Sequence, residues 1–369
     1  MKEKKNIIQY LTIGIFLLFI FSLAIVNIFC TKVDYSENEN RSLASFPSVT
    51  LENLFSGTFD DDFEDWFSDH FVARDSWIQV EARTKQLTGS IDNNSVYFGK
   101  EDRLIQQFTS YDSKTLENNI QYINDFCNAN NVTANILLAP GASYGEKEFL
   151  PFGSYNLDEK SLISSIGKSF QDQNYIDITD EISEENDLYY KTDHHWNEKG
   201  AYIGYSAICE TVLDKEPNTF TYEKVADGFK GTMYSKSGAF WNTGDTIYKM
   251  IPDKEYTVSV SYDDGTESDS LFVDENLDKK DKYTYYLDGN HAYVDIKTNV
   301  KTKKKAVIVK DSYSHILIPY LTSEYSEIQV VDLRYYRQSV SSMIDKDTDF
   351  YVIYSLESFV SDNNLAVLW

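Results

Sequence analysis

The chain has 369 residues, 42% of them hydrophobic and 25% charged, with a formal net charge of -25. A balance this acidic excludes a nucleic-acid partner, whose phosphates it would repel, and three cysteines exclude a disulfide-built scaffold. The length suffices for one large domain carrying an insertion.

Residues 7–30 are almost wholly apolar, interrupted by Gln9, Thr12, Ser22 and Asn27. As a helix this stretch runs about 36 Å at ~1.5 Å per residue, enough to cross a bilayer core of about 30 Å. It is longer than the ~7–15 apolar residues of a cleaved signal peptide and ends without a small-x-small site. Lys2, Lys4 and Lys5 precede it, and Lys32, Asp34, Glu37 and Glu39 follow. The positive-inside bias therefore predicts a cytoplasmic tail at 1–6, a single-pass anchor at 7–30, and everything after it outside the cell. Residues 31–50, polar and aperiodic with Pro47 near their end, read as a juxtamembrane linker before an extracytoplasmic domain at 51–369.

Phe59, Phe63, Trp66, Phe67 and Phe71 recur at helical spacing, with Asp60, Asp61, Asp62, Glu64 and Asp65 loading the first turns. The spacing predicts an amphipathic helix whose aromatic stripe faces the core. Helical and strand patterns then alternate: a helix near 114–129, a strand at 134–139, a helix near 157–170, and a strand at 175–178. Such alternation predicts an α/β layered domain. Asn197 is placed to cap a helix reaching about Leu213, with Ala201, Tyr205, Ile208 and Val212 on one face. From about 214 to 302 the texture changes to short Tyr-, Val- and Thr-rich runs punctuated by Asp264-Gly265 and Asp288-Gly289, the mark of a β-rich insertion. The α/β pattern resumes with a strand at 306–309, a helix at 313–321, and strands at 327–331 and 349–354. Cys127 and Cys209 lie in the outer part, and their spacing leaves open whether they pair.

Acyl transfer by a serine needs a nucleophile, an imidazole to take its proton, and a carboxylate to fix the imidazole tautomer. Five histidines are present; His70 lies in the early acidic helix and His291 beside a turn, and both read as structural. The run Asp193-His194-His195-Trp196-Asn197 instead sits on a loop entering a helix. Side chains two apart on an extended loop point the same way, so Asp193 reaches His195 while His194 faces elsewhere. Ser312 follows the apolar strand, at the carboxyl end where open sheets place their chemistry. Backbone N–H groups of the following helix, Tyr313 onward, are candidates for an oxyanion hole. Asp311 must point away, because a carboxylate aimed at an oxyanion would raise the barrier. Arg334 and Tyr335, after a strand expected beside that of Ser312, are further candidates for the pocket.

Asp193-His194-His195-Trp196 followed by Asp311-Ser312-Tyr313-Ser314 resembles the family named after its DHHW motif, and more distantly the SGNH-type alginate O-acetyltransferases of bacterial envelopes. The likeness extends to Glu39-Asn40-Arg41 and to the stretch from Phe63 to Arg74. It implies an SGNH-hydrolase-like parallel sheet with flanking helices, its motifs in permuted order, and a triad of Asp193, His195 and Ser312. Supporting roles fall to His194, Trp196 as a packing anchor, and Asn197.

Two plainer readings stand beside this one. Asp193, His194 and His195 are possible metal ligands, although no further ligand stands at usable spacing; or the run is a structural loop whose tryptophan fills core. The leading expectation is an O-acyltransferase, O-acetyl by resemblance, acting on a cell-surface polysaccharide without a cofactor and supplied by a membrane acyl donor. An esterase of the same fold and a silent surface-binding module are the alternatives.

Overall fold

Branched and aromatic runs build the centre of the molecule. In the computed structural model, which describes residues 2–170 and 172–369, the chain divides into two compact units: Met1–Leu87 with Gly238–Trp241, and Thr88–Ser237 with Asn242–Trp369. Among the described residues of the larger unit, eight strands form one sheet. They are β1 (Ala134–Ala139), β2 (Asn174–Ile176), β3 (Val258–Tyr262), β4 (Glu267–Ser268), β5 (Tyr293–Thr298), β6 (Lys305–Lys310), β7 (Glu327–Val331) and β8 (Thr348–Ser355). Their order is β4-β3-β5-β7-β6-β8-β1-β2. The last five strands of that row run parallel, and β5, β3 and β4 continue the β7 edge antiparallel.

The pleat sorts side chains by parity. Ala306, Ile308, Tyr351 and Ile353 enter one apolar cluster, with Trp196, Tyr205 and Leu317. Val307, Val309, Phe350 and Val352 enter the other, beneath Ile123, Phe126 and Ile163. The two helices that supply Ile123, Phe126 and Ile163 start on side-chain caps. Asp112 accepts from Lys114 N at the head of Ser113–Asn130, and Asp158 from Ser161 N at the head of Glu159–Gly167. Cys127 and Cys209 are free thiols in opposite clusters, so the sheet itself separates them.

Asn197 caps Glu198–Ile208 as expected, and the helix then widens into a π turn over Cys209–Leu213. The β-rich stretch is divided between two places. Phe220–Phe229 and Asp245–Pro252 pair as a bulged antiparallel ribbon, whereas β3, β4 and β5 extend the central sheet. Asp264-Gly265 makes the β3–β4 turn, with Gly265 at φ 86°. Asp288 and Gly289 also take positive φ, 56° and 76°, but lead into β5 without joining two paired strands.

The smaller unit holds the apolar helix Lys2–Phe29 and the helices Thr58–Asp69 and Arg74–Leu87. The tail expected at 1–6 lies outside the description: Met1 altogether, and 2–6 as to side chains. Polar links tie the end of the apolar helix to the next helices. Asn27 Oδ1 accepts from Val72 N at 2.9 Å, and Lys32 Nζ donates to the carbonyls of Asn27 and His70, each at 2.9 Å. Arg41 bonds Glu39 and Asp69, and Arg74 reaches Glu39 at 2.8 Å. The aromatic stripe is not core, contrary to expectation. No residue of Thr58–Asp69 is buried, and Phe63 and Phe67 are 38% and 41% exposed. Their rings meet chiefly one another and Phe46, and among the described residues of this unit they are not covered by a buried apolar layer.

Candidate active site

The site is assembled from two loops 117 residues apart that the fold ties together. The first, 191–197, leads into the helix Glu198–Ile208. Its base is fixed by Asp245, which accepts from Lys191 N at 2.7 Å, Thr192 N at 2.9 Å and Thr192 Oγ1 at 2.5 Å. Its far end is fixed by Trp196, which is fully buried and donates its indole N–H to Tyr313 O at 2.8 Å. Gly204 makes room for that indole, since a Cβ there would come within 2.9 Å of it, and a Cβ at Gly200 would come within 2.5 Å of Leu188 O. The second loop is the turn from β6 into Ser314–Leu321, and the Tyr313 hydroxyl donates back to His194 O.

These ties bring Ser312 Oγ to 2.8 Å from His195 Nε2, and His195 Nδ1 to 2.5 Å from Asp193 Oδ1. An ionised carboxylate only accepts, so Nδ1 carries the proton and Nε2 is left to accept from the serine. Asp193 Oδ1 also accepts from His195 N at 3.1 Å, and Oδ2 from Thr232 N at 2.7 Å and Thr232 Oγ1 at 3.0 Å. The approach is so close that a Cβ at Gly231 would lie 2.2 Å from Asp193 Oδ2. His194, expected to face elsewhere, does not: its ring lies 3.8 Å from that of His195, and its Nδ1 stands 3.6 Å from Asp193 Oδ1 and meets Thr232 Oγ1 at 2.7 Å, because the run is a bent loop without strand alternation.

Burial works against the charge of Asp193, yet the two imidazoles hold its carboxyl well below the usual carboxylate range. Burial pushes His195 down to about 4, and the neighbouring His194, with ring centroids 3.8 Å apart, adds to the effect. His194 is also pushed down by burial, but the Asp193 charge outweighs that and raises it. One carboxylate cannot support two imidazolium ions at this distance, so His195 stays neutral and able to accept a proton.

Asp311 faces away from the serine hydroxyl. Its Oδ2 accepts from Ser355 N at 2.9 Å and Ser355 Oγ at 2.8 Å. Its Oδ1 accepts from Tyr313 N at 3.0 Å, so the first N–H of the turn is already engaged. Arg334 is held by Asp332, at 2.9 and 2.6 Å, and by Asn290 at 2.9 Å; its guanidinium lies over the half-exposed Tyr335 ring. A cavity of about 310 Å³ opens over the carboxyl ends of β1, β6 and β8, lined by Gly141, Ser143, His194, Thr232, Tyr313 and Glu357 among others; it adjoins Ser312 and His195 in the chain through Tyr313 and His194, and neither of those two, nor Arg334 and Tyr335, is in its lining.

Among the described residues, Asp193, His194 and His195 form a cluster that could hold a metal, their ligand atoms within 4.8 Å of one another. The donor set suits that poorly, because His195 Nδ1 and both Asp193 oxygens are already bound to one another and to Thr232. Sequence reasoning missed Gly231, Thr232, Asp245 and Tyr283. The Tyr283 ring stacks on His195 at 3.9 Å and 11°, and its hydroxyl donates to Ser312 O at 3.0 Å. All four come from 220–290, where short strands and turns carry no chemical motif.

A family model described as DHHW protein matches residues 39–135 and 164–331. A DHHW family protein from Eubacterium siraeum superposes with a TM-score of 0.63 at 25% identity, covering 75% of this chain and 96% of its own. PatB1 of Bacillus cereus is similar in fold. Its structure with a sulfonyl adduct gives a TM-score of 0.60 at 18% identity, covering 73% of this chain and 97% of that one. A second PatB1 structure gives 0.58 at 21%, covering 72% and 97%. No curated protein matches the chain by sequence. The mostly parallel sheet with flanking helices, expected from the order of elements, is the fold these structures share.

Proposed function

The chain belongs to the DHHW protein family, and on that premise we propose that it is a membrane-anchored, extracytoplasmic serine O-acyltransferase. Ser312 is the nucleophile, His195 the general base and then acid, and Asp193 the carboxylate that orients it. The observation that carries the reading is the hydrogen-bonded line Asp193–His195–Ser312, with links of 2.5 and 2.8 Å.

In the first half-reaction the Ser312 oxygen attacks the carbonyl carbon of an acyl ester while its proton passes to His195 Nε2. His195 returns that proton to the departing alcohol, and the acyl group stays on Ser312. In the second half, a sugar hydroxyl gives its proton to His195 and attacks the acyl carbon. Ser312 leaves and recovers the proton. Asp193 balances the imidazolium formed in each half, and the four hydrogen bonds it accepts keep it ionised and still.

The acyl group is acetyl and the acceptor a cell-surface polysaccharide, by likeness to the O-acetyltransferases that the motif pair resembles. Ile7–Phe29, with a mean hydropathy of 2.6 and little of its surface buried, is the anchor, its N-terminus cytoplasmic. The acyl group is then delivered outside by a membrane donor.

The test supplies the full-length protein with an activated acetyl ester, with and without an oligosaccharide acceptor, and labels it with a sulfonyl fluoride. The expected result is label and acetyl on Ser312 and acetyl transfer to the sugar. Hydrolysis without transfer would make it an esterase of the same fold; a Ser312 that takes neither label nor acetyl would leave a surface-binding module.

A further inference from the structure

Tyr283 sits in the 3₁₀ turn Lys282–Tyr285, within the stretch that sequence patterning marks only as β-rich. It is 4% exposed. Its ring lies almost parallel to that of His195, 11° apart with centroids at 3.9 Å. Its hydroxyl donates to the carbonyl of Ser312 at 3.0 Å and lies 3.4 Å from that of Tyr313. One side chain thus touches the face of the imidazole and the backbone of the serine.

The ring is itself held. Tyr190 and Tyr286 meet it edge-on, at 6.2 Å and 83° and at 5.6 Å and 67°. The His315 ring lies nearly parallel to it at 5.9 Å, and Asp281 accepts from its backbone N–H. His315 N also donates to Ser312 O at 3.2 Å, so that carbonyl takes a bond from the helix and another from Tyr283. Rotation of the serine turn would break both.

We infer that Tyr283 is a positioning residue for acyl transfer: it fixes the plane of His195 and the turn that carries Ser312, and its ring face favours the imidazolium over the neutral base. This rests on the acyl-transfer reading above. The ring's contribution changes during the reaction. Against a neutral imidazole the stack gives dispersion alone; once His195 has taken the serine proton, a cation lies over an aromatic face. An interaction that strengthens as charge develops lowers the barrier, whereas one of equal strength throughout does not.

The test uses full-length wild type, Tyr283→Phe and Tyr283→Leu in detergent, with an activated acetyl ester. Rates are expressed per site labelled at Ser312 by phenylmethylsulfonyl fluoride, so misfolded protein is not counted. Tyr283→Phe keeps the stack and loses the hydroxyl bond. It should retain the wild-type acid limb and KM and lose about threefold to tenfold in kcat. Tyr283→Leu loses both contacts, and kcat should fall at least tenfold. Its acid limb should move to lower pH by about half a unit, in brief exposures that recover at pH 7. A Tyr283→Leu protein with the wild-type limb overturns the inference, because a merely structural tyrosine would lower the number of active sites without moving a titration. So does a Tyr283→Phe protein with wild-type kcat per labelled site, which settles the matter if the leucine variant does not fold. A wild type that neither turns over nor labels at Ser312 removes the acyl-transfer reading and this inference with it; a reactive wild type with indifferent variants removes this inference alone.

Discussion

The helices Thr58–Asp69 and Ser113–Asn130 are alike in sequence and opposite in setting. Both place large apolar residues at helical spacing, and both carry polar residues between them. In the larger unit the stripe is core: Ile123 is fully buried and Phe126 is 3% exposed against the sheet. In the smaller unit nothing on the helix is buried, and the fixed points are ionic, Arg41 and Arg74 on Glu39 and Asp69. Periodicity tells which face of a helix is apolar. It does not tell what lies over that face, because this depends on elements elsewhere in the chain.

The contrast can be broken from the active-site side, where effects should be largest. Ser312→Ala or Asp193→Asn should lower acyl turnover by roughly 10⁴-fold, measured with an activated acetyl ester, while circular dichroism and melting stay near wild type. Asp193 would lose its ability to hold the His195 tautomer, and the turnover of Asp193→Asn reads that directly. In the same unit, Phe126→Ala should cost about 3–5 kcal/mol in denaturant unfolding, since the cavity forms in a packed layer. A loss below about 1 kcal/mol would show that the two helices are alike after all.

Gly231→Ala sharpens the same point at the site. Its new Cβ would stand 2.2 Å from Asp193 Oδ2, so the carboxylate has to move. A displacement of about 1 Å is enough for roughly a hundredfold loss in kcat, with KM little changed.

The acid limb of turnover follows from His195. Its neutral form accepts the serine proton, and its pKa is depressed to about 4, so activity should persist through pH 5 and fall as pH drops through about 4. His194→Gln removes a neighbour that pushes His195 down, and the limb should rise toward the ordinary histidine value of about 6.5. An unchanged limb in that variant would mean that His194 has no electrostatic hold on His195. The smallest effect is expected for Phe63→Ala, 38% exposed in the smaller unit, which should cost less than about 1 kcal/mol in unfolding and leave turnover unaltered.

The sequence by itself determined whatever is local. The 7–30 run is apolar over a bilayer's length; the alternation of strand and helix requires a layered sheet; Asn197 caps a helix; the two-residue step lets Asp193 reach His195, although the bend of the loop also brings His194 beside them. Strand-end placement made Ser312 only a candidate, since Ser355 also ends a buried strand that leads into a helix; pairing with the Asp193–His195 run singled it out. Tertiary structure decided what depends on distant partners. Parallel pairing of β8 with β6 brings Ser355 to Asp311 and turns that carboxylate from the serine hydroxyl. The loops around 230 and 283 supply Thr232 and Tyr283, though nothing in their own residues marks them, since a hydrogen bond or a stacked ring is specified jointly by both partners. The aromatic stripe at 59–71 fell on the same side of this divide: its period was legible, and the absence of a layer over it was not.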